Sequence, residues 1–114
     1  MRLVILSDTH CTQPEIPDGD VLIHCGDFTY EGGIPESKWA LDWFNSQSHK
    51  HKIFIAGNHE VGWQNQMDLS YILESAPKCT YLYNSSIVID GVHFWGSPYQ
   101  PDFCNWAFQK PRGK

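Results

Sequence analysis

The chain lacks the marks of several large function classes. No apolar stretch approaches the ~20 residues needed to cross a bilayer. Basic residues are scarce: eight Lys and Arg stand against thirteen Asp and Glu, for a formal charge of −5. There is thus no electrostatic footprint for binding a nucleic-acid backbone. A small phosphorylated substrate stays open, because bound cations can supply positive charge. The four cysteines, Cys11, Cys25, Cys79 and Cys104, form no C-x-x-C pair and no zinc-ribbon spacing. That counts against a structural zinc domain. The apolar run at 3–6 is too short for the core of a signal peptide, and Asp8 and His10 follow at once. A reducing cytoplasm with free thiols is the expected compartment. No repeat, low-complexity stretch or linker divides the chain, so its 114 residues are expected to form one domain.

What is present reads as an ordinary folded protein, 41% hydrophobic and 18% charged. Five Trp, spread from Trp39 to Trp106, are expected in core or rim packing. Three short apolar runs stand out: 3–6 (LVIL), 21–24 (VLIH) and 53–56 (IFIA). Each is long enough for a buried strand. Between the second and third, 35–44 predicts a helix, with Trp39, Trp43 and Phe44 near one face and Pro35 and Glu36 in its first turn. Strand, helix, strand implies a crossover and parallel pairing. A second helix is expected over 64–74, before Pro77. Runs at 81–83, 87–89 and 92–95 then read as β, and Asp90-Gly91 signals a hairpin between the last two. The tail, 96–114, reads as loop.

Each of the three buried-strand candidates ends in residues able to hold a metal. The first is followed by Asp8-x-His10, the second by Gly26-Asp27, the third by Gly57-Asn58-His59. In open α/β sheets ligands gather beyond the carboxyl ends of the strands. Mixed oxygen and nitrogen donors without thiolate suit Mn, Fe or Zn, and Mg less well. A carboxylate can bridge two cations about 3.5–4 Å apart, the two-metal arrangement used for phosphoester hydrolysis. Taken singly these clusters are weak signals, since an isolated Asp8 reads more readily as a loop-initiating or helix-capping residue. Their order and placement carry the weight.

The series D-x-H, G-D, G-N-H-[DE] resembles that of the calcineurin-like metallophosphoesterases. Residues 5–10, 19–29 and 55–60 are similar to the branch of small metallophosphoesterase domain-containing proteins, as are 96–99, 105–108 and 111–113. The resemblance implies an α/β fold, the N-terminal half of the metallophosphoesterase αββα sandwich. That half is a mostly parallel sheet with two crossover helices followed by a β-hairpin. It implies metal-dependent hydrolysis of a phosphomonoester or phosphodiester. Asp8 and His10 would bind the first of two divalent ions, Asp27 would bridge both, and Asn58 would bind the second and help place the phosphate. His59, the catalytic residue, would contact the phosphoryl oxygens and serve the leaving group as general acid. Glu60 is expected early in a helix as a dipole and capping residue.

Family members continue into T-H-G-P-like and G-H-x-H motifs whose histidines complete both sites, and neither occurs before Lys114. The expectation is a truncated domain with a weak second metal site, an uncovered apolar face and an open sheet edge. A second chain or a C-terminal half would complete the site. The alternative is a non-catalytic remnant or binding module that keeps one metal. The other histidines do not replace the missing ones. His24 is expected to pack or to brace the site, His49 and His51 to be solvated in a polar turn, and His93 to sit on a hairpin strand. Cys11 and Cys25 are expected to act as small hydrophobes. An aromatic wall of Tyr99, Phe103, Trp106 and Phe108 near a substrate is weighed against ordinary packing, which is the expected outcome.

Overall fold

The apolar runs form strands, and their parallel pairing sets the architecture. The computed structural model describes residues 1–101 and 107–110. Strand β1 is Leu3–Leu6, β2 Val21–His24, β3 His51–Phe54 and β4 Thr80–Tyr81, hydrogen-bonded in the order β1-β2-β3-β4 and all parallel. Helix α1, Ile34–Asn45, crosses from β2 to β3. A 3-10 turn at Val61–Gln64 and helix α2, Gln66–Leu73, cross from β3 to β4. An antiparallel hairpin follows, β5 Ser85–Ile89 with β6 Val92–Gly96. Both turn residues, Asp90 and Gly91, have positive φ, 49° and 78°, as a tight hairpin turn matched to strand twist requires. The tail, expected as loop, contains a short parallel pair, β7 Gln100–Pro101 with β8 Gln109–Lys110.

Alternation along the strands divides two cores. Leu22, Phe54 and His24 face α1 and α2, where Phe28, Leu41, Phe44, Trp63 and Ile72 are fully or almost fully buried. On the opposite face Val21 and Ile53 pack against Leu82 and Ile89, under the hairpin. The helices are seated by local chemistry. The Trp63 indole N–H donates to Ser37 Oγ at 2.8 Å, the Asn65 side chain caps α2 by accepting from Asp68 N–H, and Lys52 Nζ donates to the Asn45 and Gln47 carbonyls at the end of α1.

Several expectations are corrected. Strand β1 is not fully buried: Leu3 and Ile5 are exposed, because β1 is an edge strand beyond the reach of the hairpin. Trp39 and Trp95 are exposed, so the core takes Trp43 and Trp63, while Trp106 lies outside the described residues. His49 is buried rather than solvated, its Nε2–H donating to the Pro17 carbonyl at 2.9 Å. His51 is half-buried and opens β3, its N–H bonded to Asp20 O. Strand β3 therefore starts two residues earlier than the apolar run, since a parallel ladder needs main-chain partners and not apolar side chains. His93 is exposed on β6, as expected.

Candidate metal centre

Parallel register sets Leu6 beside His24 and His24 beside Phe54, so the loops after β1, β2 and β3 emerge at one edge. Main-chain bonds lace them together. Asp8 N–H donates to Gly26 O at 2.9 Å, His10 N–H to Asp27 O at 3.0 Å and Cys11 N–H to Phe28 O at 2.7 Å. The loops after β2 and β3 come close enough that a Cβ on Gly26 would meet Gly57 N at 2.5 Å, and Gly26 itself has φ of 101°. Asp8, His10, Cys11 and Asp27 all have positive φ, between 40° and 63°. Backbone held in this sparsely populated region persists only where its surroundings over-determine it, and such positions cluster at functional sites.

The side chains converge. A ring nitrogen from each of His10 and His59 and a carboxylate oxygen of Asp27 all lie within 4.8 Å of one another. Asp8 Oδ1 stands 3.6 Å from His10 Nε2. Each imidazole is oriented from behind. His10 Nδ1–H donates to Thr29 O at 3.1 Å and His59 Nδ1–H to Tyr30 O at 3.0 Å, which puts the lone pair of each ring on Nε2. The rings meet edge to face with centroids 4.7 Å apart, and Tyr30 stacks on His10 from the other side. His59 N–H also donates to Asp27 Oδ1 at 3.0 Å, tying that carboxylate to the third loop.

The carboxylates are electrostatically unequal. The Ser7 hydroxyl, donating at 2.6 Å, and the carboxyl group of Asp27 hold Asp8 below the usual carboxylate range. Burial raises Asp27, and the proximity of Asp8 raises it further. Two acidic groups beside two imidazole lone pairs form a donor set that suits a divalent cation. Asn58 lies half-buried in the third loop between Gly57 and His59, its main-chain carbonyl accepting from Ala107 N–H at 2.9 Å. Asp8, His10, Asp27 and His59 are therefore brought together from separate loops, with Asn58 beside them in sequence.

Two further residues brace the centre. His24 Nδ1 accepts from Gly26 N–H at 3.0 Å while Nε2–H donates to Thr9 Oγ1 at 2.9 Å, linking the loops after β1 and β2. Buried and stacked on Phe28, its imidazole is pushed down to about 3, so it stays neutral. Its bracing role accords with the expectation from sequence. Glu60 does not. It is fully buried, makes no cap to the 3-10 turn that follows it, and its carboxylate accepts from main-chain amides of the neighbouring loop. Burial pushes Glu60 up to about 7, against the pull of those donors. Thr29 and Tyr30, whose carbonyls orient the imidazoles, carry no sequence signal at all, because any residue supplies a carbonyl. The thiols stand aside from the cluster: burial raises Cys11, whose Sγ–H donates to Glu36 at 3.4 Å, and Cys25. Phe108 is buried in the helix-side core, as ordinary packing predicts, Tyr99 packs against it, and Phe103 lies outside the described residues.

The model of the calcineurin-like phosphoesterase family matches residues 1–106. The chain belongs to that family. The family's curated members include the human metallophosphoesterase domain-containing protein 1, 39% identical over 99% of this chain and 42% of its own length. A Caenorhabditis elegans UPF0046 protein is 37% identical over all of the chain and 46% of its own length. A probable rhamnogalacturonate lyase C of Emericella nidulans is 40% identical over 98% of the chain but only 12% of that protein, too small a share for its name to bear on this site. The chain thus spans less than half the length of these relatives. Its four-stranded parallel sheet, two crossover helices and hairpin match the N-terminal half of the family's fold.

Proposed function

We propose that this chain carries part of a divalent-cation-dependent phosphoester hydrolase site. The observation that carries the reading is the convergence of His10, Asp27 and His59 donor atoms within 4.8 Å, with Asp8 alongside. Bound cations of the Mn, Fe or Zn kind, with Mg a weaker fit, supply positive charge to phosphoryl oxygens and lower the pKa of a coordinated water. Asp8 and His10 would hold the first ion, Asp27 would serve both ions, and Asn58 would hold the second and help to orient the phosphate. His59, with Nδ1–H committed to Tyr30 O, would keep Nε2 for the phosphoryl and leaving-group oxygens instead of for an ion and, on taking a proton there, would serve as general acid. The substrate is a small phosphomonoester or phosphodiester, and a further segment or a second chain supplies the remaining ligands of the second ion.

Mn²⁺-dependent hydrolysis of an aryl phosphodiester tests the reading. Asp27→Asn removes the bridging charge and is expected to abolish turnover; activity equal to that of the unmodified chain would sink the proposal. A second reading, a binding module that holds one cation without turnover, is favoured by one observation. Among the described residues a single cluster of His and acidic groups is placed to hold a metal. Metal analysis separates them, near two ions per chain for the hydrolase and one for the binding module.

No helix among the described residues is long and apolar enough to cross a membrane. Cys11, Cys25 and Cys79 are free thiols, which supports a reducing compartment, the cytoplasm, as the place of action.

A further inference from the structure

Glu60 is the largest acidic side chain withdrawn from water in this molecule's described residues, and its environment is unusual in one respect. Almost everything it bonds lies on another loop. Oε1 accepts from Asp27 N–H at 2.6 Å and Phe28 N–H at 3.1 Å, and from Gly57 N–H at 3.1 Å. Oε2 accepts from Thr29 Oγ1–H at 3.0 Å and Thr29 N–H at 3.4 Å. A residue that merely started a helix would bond the amides of its own first turn, and Glu60 bonds none there.

We propose that Glu60 is a positioning residue for the cation site, clamping the loop after β2 to the loop after β3 and so setting the spacing between Asp27 and His59. This rests on the hydrolase reading for its purpose, although the clamp itself does not. The same carboxylate reaches both imidazoles indirectly. It holds the Thr29 amide and hydroxyl, while the Thr29 carbonyl accepts from His10 and the adjacent Tyr30 carbonyl accepts from His59. One buried side chain therefore governs where Asp27 sits and which ring nitrogen each histidine turns towards the site. The positive φ of Asp27 points the same way, because a strained main chain needs a rigid partner to hold it.

A neutral, equally long side chain makes the sharpest test. In Glu60→Gln the amide NH₂ is turned against a ring of donors, so the clamp loosens without a change of volume. Thr29→Val removes one donor to Oε2 at nearly constant shape. Three readouts apply to the full chain of each variant at pH 8. Calorimetric titration with Mn²⁺ gives affinity, and outer partners of this kind typically contribute 10–100-fold. Amide hydrogen exchange without metal compares Asp27, Phe28, Thr29 and Gly57 with Leu22 and Phe54 in the strands. Nitrogen-15 imidazole spectra report the tautomers of His10 and His59.

The expected result for Glu60→Gln is Mn²⁺ binding weakened at least ten-fold, loss of protection confined to the loop amides, and mixed tautomers for both histidines. Thr29→Val is expected to show the same pattern at several-fold. If Glu60→Gln does not fold, Thr29→Val decides alone. Unchanged affinity, tautomers and loop protection in a folded variant overturn the proposal, as does uniform loss of protection across strands and loops. If the unmodified chain takes up no Mn²⁺, the hydrolase reading fails. The exchange and tautomer readouts then still confirm or overturn the clamp.

Discussion

The two faces of the parallel sheet are built from similar sequence and end in different states. On the helix side, Leu22, Phe54 and His24 are sealed beneath α1 and α2 and a continuous group of aromatic rings. On the hairpin side the buried cluster is small, centred on Val21, Ile53, Leu82 and Ile89, and Leu3 and Ile5 remain open to water. A groove of about 490 Å³ runs between Ile23 and Ile55 of the sheet side and Phe94 and Trp95 of the hairpin. Hydrophobic burial stabilises in proportion to apolar area removed from water, so the helix face supplies most of the cohesion. The metal-competent loops lean on that face: Phe28 and Glu60 reach into it directly behind Asp27 and His59.

The largest break in this comparison is expected from truncating Phe54. Its ring touches those of Phe28, Phe44, Trp63 and Tyr81, so Phe54→Ala empties the centre of the helix-side core. A loss of about 3–5 kcal/mol is expected by urea denaturation. Ile89→Ala on the hairpin side should cost about 2 kcal/mol, the low end for a buried Ile, because fewer neighbours surround the cavity. Equal losses would show that the faces contribute alike.

That asymmetry also explains what could be read in advance. The runs 3–6 and 21–24 look alike, and periodicity places both in a sheet. It does not say which strand a covering element reaches, and Ile5 is exposed where its neighbour Ile23 is half-buried. Asp90-Gly91 was readable because a hairpin turn demands particular backbone angles, which few residues adopt. That Asp8, His10, Asp27 and His59 would meet was readable for a similar reason, since parallel strands bring their ends together, although the sequence assigned Asn58 to the metal and His59 to the phosphoryl oxygens. Glu60 was misread as a local cap, since its donors are main-chain amides that leave no trace in residue type. His49 was misread because a polar turn can fold under a loop, here the one carrying Pro17.

An intermediate effect is expected from pH, through His24 on the helix face. Desolvation pushes this imidazole down from 6.5 to about 3, so the unfolded chain binds a proton that the folded chain refuses between those values. Stability from this group is therefore complete above about 6.5 and falls with acidification towards about 3, at about 1.4 kcal/mol per pH unit. At pH 5 the loss is about 2 kcal/mol relative to neutrality. Denaturation midpoints of the natural chain and of His24→Gln, followed from pH 7.5 to 5, isolate it: the variant should lack this part of the slope. Parallel curves would mean that the helix-side core admits a charged imidazole, and the contrast between faces would shrink.

The smallest effect sharpens the comparison most, because it contrasts neighbours on one strand. Val4 and Ile5 point to opposite faces of β1, Val4 packing against the helix-side core and Ile5 63% exposed. Ile5→Thr keeps a β-branched side chain and full strand propensity while giving up little burial, so it should shift stability by no more than about 0.5 kcal/mol. Val4→Thr introduces the same hydroxyl against the apolar helix-side core and is expected to cost about 1–3 kcal/mol. If Ile5→Thr proved as costly as Val4→Thr, Ile5 would have to be covered in solution, and the hairpin side of the sheet would no longer be the open one.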